Sequence, residues 1–381
     1  MLRILLIALA LASGAGQAAA QQQQSQQPQG PRTYSQEQLW DRGHDRITFL
    51  LARISLPQRL GAVTFSETGS LDQGRGLDNT IQFRSADQAI LASVYIYYPP
   101  IAHPGLAAFM TDRALETLSN GNLQRLGART VAVGGVDNGA IRMTYARYHG
   151  DLASSSGFIK AGRWLVKFRV SGPEARRADI EATMDALLSS IRFEGNVRPR
   201  PATMLNIGGC EGAAARTAQP FTEPTAAFGA ALILPFDPMG EPGATGRDGR
   251  PLNILSRIGG NWCLSSVARY GREATPILRA YGPERADGGR NAPARSVGLA
   301  MVSDSGMILE TVQDGGHYTL IYHRIGESLV LGSYATPPSD EQLANLLSGA
   351  DREGGRIQAR VALSPDGNSQ IALSAPPSGS K

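Results

Sequence analysis

The sequence has few cysteines, no long apolar run and no basic cluster, and each shortage argues against a class of protein. Only two of its 381 residues are cysteine, and the first is Cys210, so no cysteine near the N-terminus could accept a lipid. No apolar stretch approaches the roughly 20 residues that a membrane-spanning helix needs, and we predict no membrane span. The 37 basic and 33 acidic residues are spread along the chain, which argues against nucleic acid as a partner.

Sequence motifs for catalysis and cofactor binding are also missing. The chain has no Gly-x-Ser-x-Gly elbow, no His-Glu-x-x-His pair, no phosphate loop and no dinucleotide fingerprint. His317 and His323 are the best metal candidates, but six residues along one predicted strand would separate them by about 20 Å, too far to share an ion. We therefore predict no metal site and no cofactor.

The N-terminus has the three regions of a secretory signal peptide, which we assign to residues 1–20. Arg3 supplies a positive charge, residues 4–12 are apolar, and residues 18–20 are three alanines of the kind found at cleavage sites. We predict cleavage after Ala20 and a periplasmic or secreted mature protein. A retained N-terminal anchor is the alternative.

We interpret Cys210 and Cys263 as one disulfide bond. Oxidising compartments outside the cytoplasm favour pairing of two isolated cysteines. A redox or metal role is the alternative, but there is no Cys-x-x-Cys spacing and no histidine near either residue. In the chain-entropy model, closing a loop of this length stabilises a fold by roughly 4 kcal/mol.

The start of the mature chain is divided into a leader and a helix. Residues 21–34 are rich in glutamine and are predicted to be disordered. Ser35 and Gln38 form a capping box, which predicts an amphipathic helix over residues 35–56. The apolar stripe of this helix would hold Trp40, His44, Ile47, Leu51 and Ile54. His44 is therefore expected to be partly buried, with no catalytic role.

Residues 58–194 are predicted to form a mostly antiparallel sheet with two helices. β-Branched and aromatic runs, separated by Gly, Asn, Asp and Pro, predict strands over residues 63–65, 80–84, 92–98, 130–133, 140–148 and 157–170. Residues 106–118 predict the first helix. A capping box of Ser171 and Glu174 predicts the start of the second helix. Its apolar stripe, expected to pack on the sheet, is Ile180, Met184, Leu187, Leu188 and Ile191.

The rest of the chain predicts a second sheet. Two prolines mark residues 195–201 as a linker, and residues 202–363 follow as a second domain. Its predicted strands are residues 230–234, 261–270, 296–301, 307–312, 318–324 and 328–334. Ser339 and Gln342 would cap a short helix, and residues 364–381 are predicted to be a disordered tail. Whether this domain duplicates the first stays open.

The fold class is therefore predicted as α+β. We expect two domains, each a mainly antiparallel sheet with packed helices, preceded by the signal peptide and one amphipathic helix. The first domain contains a distinctive order of elements: residues 93–99 (Ser-Val-Tyr-Ile-Tyr-Tyr-Pro), a helix, the strand over residues 140–148, residues 162–169 (Gly-Arg-Trp-Leu-Val-Lys-Phe-Arg), Pro173 and a closing helix.

This order, over about a third of the chain, resembles a PsbP-like α/β domain. The resemblance implies an α/β/α sandwich and a non-enzymatic accessory or binding role. The resemblance consists of the order of strands and helices and of a Trp-centred strand. No metal or partner site can be carried over from the family, because no residue-specific motif is present.

Side-chain alternation in three strands predicts a core face and a partner-binding face. The core face, beneath the second helix, would hold Val94, Ile96, Tyr98, Ile141, Met143, Tyr145, Trp164, Val166 and Phe168. The opposite face would hold Tyr95, Tyr97, Arg142, Lys167 and Arg169. Arg and Tyr are enriched at recognition surfaces, so this face is expected to bind a protein or an anionic partner of the cell envelope. A solvated face, or one covered by the other helix, is the alternative.

These observations predict an exported, non-enzymatic binding protein or cell-envelope accessory protein with an unidentified ligand. The alternative is an extracytoplasmic hydrolase whose catalytic residues come from separate segments, since such sites are defined by geometry and not by sequence order. That reading requires a histidine, His149 or His317, close to a carboxylate.

Overall fold

A computed structural model describes residues 32–148, 150–195, 197–210, 220–221, 261–270, 273–281, 295–314, 316–350, 357–365 and 369–373. The predicted signal peptide, most of the glutamine-rich leader and the predicted strand over residues 230–234 lie outside these ranges.

Helices are few in the described residues. They are α1 (Gln36–Leu39), α2 (Pro104–Leu118), α3 (Arg177–Ser190) and α4 (Asp340–Ala350), with a 3₁₀ turn at Glu174–Arg176. As predicted, Ser339 and Gln342 form a capping box at the start of α4. None of the described helices has the length and apolar character to cross a membrane.

Strands make up most of the described chain. They are β1 (Trp40–Arg42), β2 (Arg46–Phe49), β3 (Ile54–Pro57), β4 (Arg59–Leu60), β5 (Val63–Ser70), β6 (Asp78–Ser85), β7 (Leu91–Tyr97), β8 (Gln124–Val133), β9 (Val136–Tyr148), β10 (Leu152–Ala161), β11 (Trp164–Pro173), β12 (Arg192–Phe193), β13 (Gly208–Gly209), β14 (Pro220–Phe221), β15 (Asn261–Tyr270), β16 (Glu273–Tyr281), β17 (Arg295–Met301), β18 (Ile308–Asp314), β19 (His317–Arg324), β20 (Glu327–Tyr334), β21 (Ala359–Leu363) and β22 (Ser369–Leu373).

Across the described ranges these strands form three sheets. A small sheet has the order β1-β2-β3-β12, and an eight-stranded sheet has the order β4-β5-β6-β7-β11-β10-β9-β8. The last sheet runs β13-β15-β16-β17-β18-β19-β20-β21-β22, with β14 beside β20. Apart from β13 with β15, the described strand pairs are antiparallel. A mainly antiparallel α+β fold, as predicted, is confirmed.

The helix predicted over residues 35–56 is wrong beyond its first turn. The capping box of Ser35 and Gln38 is present, but α1 ends at Leu39 and the chain continues as β1, β2 and β3. Ile47 and Phe49 are buried and alternate with less buried neighbours. Burial therefore repeats every second residue, as in a strand, and not at the helical spacing of the apolar stripe. The leader also ends earlier than predicted, because the Tyr34 amide donates to the Gly74 carbonyl.

The start of the second predicted helix also differs. Ser171 belongs to β11, where its hydroxyl hydrogen bonds with that of Ser154 on β10, so no capping box forms with Glu174. The predicted strand over residues 157–170 is two strands, β10 and β11, which turn at Gly162 with a φ of +58°. The predicted apolar stripe of α3 is confirmed, and all five of its side chains are buried.

The eight-stranded sheet lies between α2 and α3. Val94, Phe168 and neighbouring side chains pack with Met184 and Leu187 of α3. On the other face, a second cluster packs beneath α2; it contains Ile141, Met143, Tyr145, Phe158 and Leu165. The prediction that Ile141, Met143 and Tyr145 lie under α3 is therefore wrong. Both faces of this sheet are buried, so hydrophobic alternation did not distinguish them.

Helix α2 also packs on the third sheet. Its side chains Leu106, Phe109 and Met110 form a cluster with Leu299 and Ile308 of that sheet. Being covered on two sides explains why most residues of α2 are buried, whereas α3 keeps an exposed polar face. Helix α4 covers the other face of the third sheet through Leu343 and Leu347.

The disulfide between Cys210 and Cys263 is present, as predicted. It lies beside the short parallel pairing of β13 with β15. The tail predicted over residues 364–381 is partly ordered, because Ser369–Leu373 pairs with β21 as the last strand of the sheet. Residues 374–381 lie outside the described ranges.

Candidate functional site

The five predicted partner-binding residues do not share a face of the eight-stranded sheet. Lys167 pairs with Tyr95 on one side and with Phe158 on the other, and Phe158 pairs with Ile141. Ile141 therefore points to the same side as Lys167, and its neighbour Arg142 points to the opposite side. The prediction of one common surface is wrong for Arg142.

Lys167 lies on the face covered by α2 and is 7% exposed. Its ammonium forms an ion pair with Asp304, which is in the turn between β17 and β18 of the third sheet. The hydroxyl of Thr111 on α2 donates to the same carboxylate over 2.7 Å. Asp304 thus joins the first large sheet, α2 and the third sheet at one point.

The aromatic side chains beside Lys167 complete this closed face. The rings of Tyr95 and Tyr97 stack with centroids 5.8 Å apart, and the Lys167 ammonium lies 5.4 Å from the Tyr95 ring. Arg169 lies over the ring of Tyr148, 4.9 Å from its centroid. Burial raises the pKa of Tyr97 well above its usual value, and the nearby carboxylate of Asp304 adds to this effect. Of these four predicted residues, Tyr97 and Lys167 are buried and Tyr95 and Arg169 are half-buried, so α2 and the third sheet cover much of this face.

Two titratable groups of the closed face have strongly shifted pKa values. Burial raises the pKa of Asp78, on β6, to about 7, and the neighbouring Asp72 carboxylate contributes. His103 is the N-cap of α2, where its Nδ1 accepts from the Leu106 amide over 3.3 Å. Burial lowers the pKa of His103 to about 4, and the charge of Lys160 contributes.

Arg142 instead lines a pocket on the α3 side of the sheet. The pocket has a volume of about 360 Å³ and is lined by Leu126, Gly127, Ala128, Arg129, Arg142, Thr144, Glu181 and Asp185. Arg142 is 5% exposed. Its guanidinium forms an ion pair with Asp185, and its Nη2 donates to the Glu181 carbonyl over 3.4 Å. Its Nε has no hydrogen-bond partner among the described residues.

The second wall of the pocket is β8, an edge strand of the eight-stranded sheet. Residues 124–129 of this strand are all exposed. Arg129 lies directly opposite Arg142 in the β8–β9 register, so two guanidinium groups face the same pocket. Asp185 pairs with Arg142, whereas Arg129 forms no ion pair within the described part of the chain. This pocket is the candidate binding site.

Sequence reasoning missed Arg129, Glu181 and Asp185. The predicted strand over residues 130–133 began too late to include Arg129. Glu181 and Asp185 are four residues apart on the polar side of α3, a spacing that places two carboxylates on one helix face. That spacing, read together with the basic residues of the neighbouring strands, was the available signal.

A hydrogen-bonded chain of Ser328, His323 and Glu310 lies on the third sheet. His323 Nδ1 is 2.9 Å from the Ser328 hydroxyl, and His323 Nε2 is 2.9 Å from Glu310 Oε2. With Glu310 ionised, Nε2 donates to the carboxylate and Nδ1 accepts from the hydroxyl. The side chains of His323 and Glu310 have no exposed surface. His323 pairs with Ile308, which packs against α2. The three hydrogen-bonded side chains therefore lie on the α2 side of the third sheet, towards the junction of the two large sheets.

The other histidines predicted to matter are placed differently. His149 lies outside the described residues. His317 begins β19 opposite Asp314, and His323 is on the same strand. His44 was expected to be partly buried, but its side chain is 97% exposed beside Asp45. No group of three or more potential metal ligands is found among the residues that the structure describes.

Comparisons with known proteins give matches only among solved structures. No family model matches the sequence, and no curated protein matches it significantly. The solution structure of cyanobacterial PsbP (CyanoP) from Synechocystis sp. PCC 6803 matches 39% of this chain and 91% of its own, with 17% sequence identity and a TM-score of 0.30. The predicted resemblance to a PsbP-like domain is confirmed at this low specificity, and a match of this quality carries no argument about activity or partners.

Proposed function

We propose that this chain is an exported, non-enzymatic binding protein that recognises a protein partner of the cell envelope through the pocket beside β8. The observation that supports this proposal is the combination of a buried guanidinium, that of Arg142, with an exposed edge strand. Such a pocket offers directional hydrogen bonds within a concave surface, as binding sites commonly do.

The proposed organisation has two domains after a signal peptide of residues 1–20. Residues 58–194, with both helices against the eight-stranded sheet, form the binding domain, and residues 202–363 form the second domain. The contacts of Asp304 with Lys167 and Thr111 support a fixed arrangement of the two. In this proposal the second domain covers one face of the binding domain and leaves the pocket on the other face available.

Affinity capture from the cell envelope tests this proposal. The bait is the mature chain, and the pocket variant carries Leu126→Glu with Arg129→Glu, two exposed positions of β8. The matched control carries Leu71→Glu with Arg59→Glu, which are exposed positions near the opposite edge of the same sheet. The wild-type and control proteins are expected to retain the same partner and the pocket variant to lose it. Equal capture by all three, at equal melting temperature, would contradict the proposal.

A hydrolase is the second candidate, and the chain of Ser328, His323 and Glu310 favours it. The order of hydroxyl, imidazole and carboxylate is that of a nucleophile, a general base and an orienting group. Because the side chains of His323 and Glu310 are buried, a substrate would reach them only after the third sheet separates from α2. A fluorophosphonate probe that labels the wild-type protein but not Ser328→Ala would support this function. Absence of labelling under native conditions and in mild denaturant would exclude it.

A further inference from the structure

We infer that the partner binds as an extended strand along the free edge of β8 and places a carboxylate beside Arg129. This inference rests on the proposed function and specifies the chemistry of the partner. It depends on three features of the described residues: the unpaired edge of β8, the two bulges that delimit its straight part, and the charge of Arg129.

The edge of β8 offers unpaired backbone groups. β8 is the last strand of its sheet and pairs only with β9 among the described strands. No residue of β8 makes a backbone hydrogen bond to any other described segment. An exposed edge of this kind is a template for a further strand, and many peptide-binding proteins use it by adding the peptide to the sheet.

The two bulges define where an added strand fits. The β8–β9 register shifts between Arg125 and Gly127 and again between Val131 and Val133. Bulges twist the edge and interrupt regular pairing, so an incoming strand meets regular backbone only over residues 127–131. Arg129 lies at the centre of this stretch. Gly127, at its start, has open space where a side chain would be, so the approach is not blocked there.

The charges around Arg129 indicate an acidic residue on the incoming strand. Arg129 faces Arg142 directly across the β8–β9 pair, and like charges in this position destabilise a sheet. Asp185 compensates Arg142, and Arg125 at the start of β8 pairs with Asp112 of α2 over 2.7 Å. Arg129 has no such partner among the described side chains. A carboxylate on the other side of Arg129 would give each of the two facing arginines an acidic neighbour.

Glu181 is the nearest competitor for Arg129. Glu181 lines the same pocket, on the α3 wall, and its side chain forms no ion pair within the described residues. If the Glu181 carboxylate already compensated the charge of Arg129, removing the Glu181 charge would make the protein bind an acidic ligand more tightly. If Glu181 only lines the wall, its removal would leave ligand binding unchanged or slightly tighter, because a like charge disappears.

The probe for this inference is the peptide acetyl-Lys-Thr-Val-Glu-Val-Thr-Lys-amide, measured by fluorescence anisotropy against the whole mature chain. Two analogues accompany it, one with Gln in place of Glu and one N-methylated at alternate amides. We expect the Gln analogue to bind about threefold to fivefold more weakly than the Glu peptide, the size of a cross-strand charge pair. N-Methylation should abolish binding, because it removes backbone donors and leaves the side chains intact.

Protein variants locate the contact. Arg129→Gln should weaken the Glu peptide to the level of the Gln analogue and leave that analogue unaffected. Glu181→Gln should bind the Glu peptide as tightly as wild type or slightly more tightly. Arg59→Gln, on β4 at the opposite edge, is the matched control and should change nothing. Amide exchange should slow in residues 127–131 when the Glu peptide is bound.

The outcomes separate this inference from the proposed function. Equal binding of the Glu and Gln peptides would overturn the carboxylate, and undiminished binding of the N-methylated peptide would overturn strand addition. Absence of binding by all peptides at about 1 mM, a concentration at which weak motifs bind, would overturn the whole inference. In that case the proposed function would still stand if the pocket variant loses its captured partner, and it would fail if that variant keeps it.

Discussion

The two faces of the eight-stranded sheet each bury one cation, but they do so in different settings. Arg142 pairs with Asp185, whose side chain is 61% exposed on the neighbouring helix α3. Lys167 pairs with Asp304, whose side chain is 20% exposed and which is 137 residues further along the chain. The first pair borders a pocket. The second pair closes a junction between two sheets.

This difference shows that burial of a cation alone does not indicate its role. Asp185 keeps most of its contact with water, so Arg142 can exchange protein contacts for ligand contacts at small cost. Asp304 has lost most of its hydration, and its carboxylate also accepts from Thr111. Replacing those contacts would require the junction itself to open. The two buried residues of the face that sequence alternation assigned to partner binding, Tyr97 and Lys167, therefore lie at this junction.

The largest effect is expected from Asp304→Ala. It leaves Lys167 buried without its counter-ion and Thr111 without its acceptor, which should lower the free energy of unfolding by about 3–5 kcal/mol. Urea unfolding of the variant and wild-type proteins measures this difference. The control is Asp304→Leu combined with Lys167→Met, which should restore much of the loss because no unpaired charge remains. If Asp304→Ala lowers the unfolding free energy by less than about 1 kcal/mol, the Lys167–Asp304 pair is hydrated in the same way as the Arg142–Asp185 pair on the opposite face.

An intermediate effect is expected from the pH dependence of stability. Asp78 has a pKa of about 7 when folded and an ordinary value when unfolded, so the folded state holds an extra proton between pH about 4 and 7. Stability from this group therefore falls as pH rises through that window, by roughly 1 kcal/mol per pH unit or less. His103, with its pKa lowered to about 4, acts in the opposite direction below pH about 6.5, where protonation favours the unfolded state.

Two variants separate these opposing contributions. Asp78→Asn should make stability rise more steeply between pH about 4 and 6.5, because His103 then acts without opposition. His103→Asn keeps a residue that favours the N-cap and should make stability fall more steeply with pH. Melting temperatures from pH 4 to pH 8 measure both slopes. Parallel pH profiles for both variants and wild type would refute the assignment of this pH dependence to the closed face.

The smallest effect is expected from Asp185→Ala. The carboxylate is largely hydrated, but its loss leaves the buried Arg142 guanidinium without its counter-ion, so we expect a cost of about 1–2 kcal/mol in unfolding free energy, below that of Asp304→Ala. Thermal unfolding checks this value, and Asp179→Ala provides a control at an exposed acidic position of the same helix. A cost comparable to that of Asp304→Ala would mean that both cations have structural roles and would weaken the case for a binding pocket.

Local signals in the sequence predicted most strands and three of the four helices. Capping boxes at Ser35 and Ser339 are present, whereas the equally local pattern at Ser171 is overridden by the pairing of β11 with β10. The extent of α1 was not predictable in this way. Trp40, Ile47 and Ile54 fit a helical stripe and also fit three short strands, and pairing with residues as distant as Arg192 decides between them.

The candidate site was less predictable than the fold. The assignment of Arg142 to a face depends on its register with Gly157, and both faces of the sheet are apolar enough to be buried. The partner of Lys167 could not be identified from the sequence, since Asp304 belongs to another sheet and looks like an ordinary turn residue. The predicted strand over residues 130–133 would have included Arg129 if it had begun at Gln124, as β8 does. The residue types between Gln124 and Arg129 are not those that favour strands.

The Cys210–Cys263 bond has a mechanical consequence. If the chain is pulled from its two ends, as during translocation or anchoring between two structures, tension passes directly from residue 210 to residue 263 through the sulfur atoms. The 53 residues of separation are excluded from the force path. At about 3.4 Å per extended residue, roughly 180 Å of contour length is withheld until the bond is reduced. In a single-molecule force experiment, reductant should lengthen the fully extended chain by about that amount.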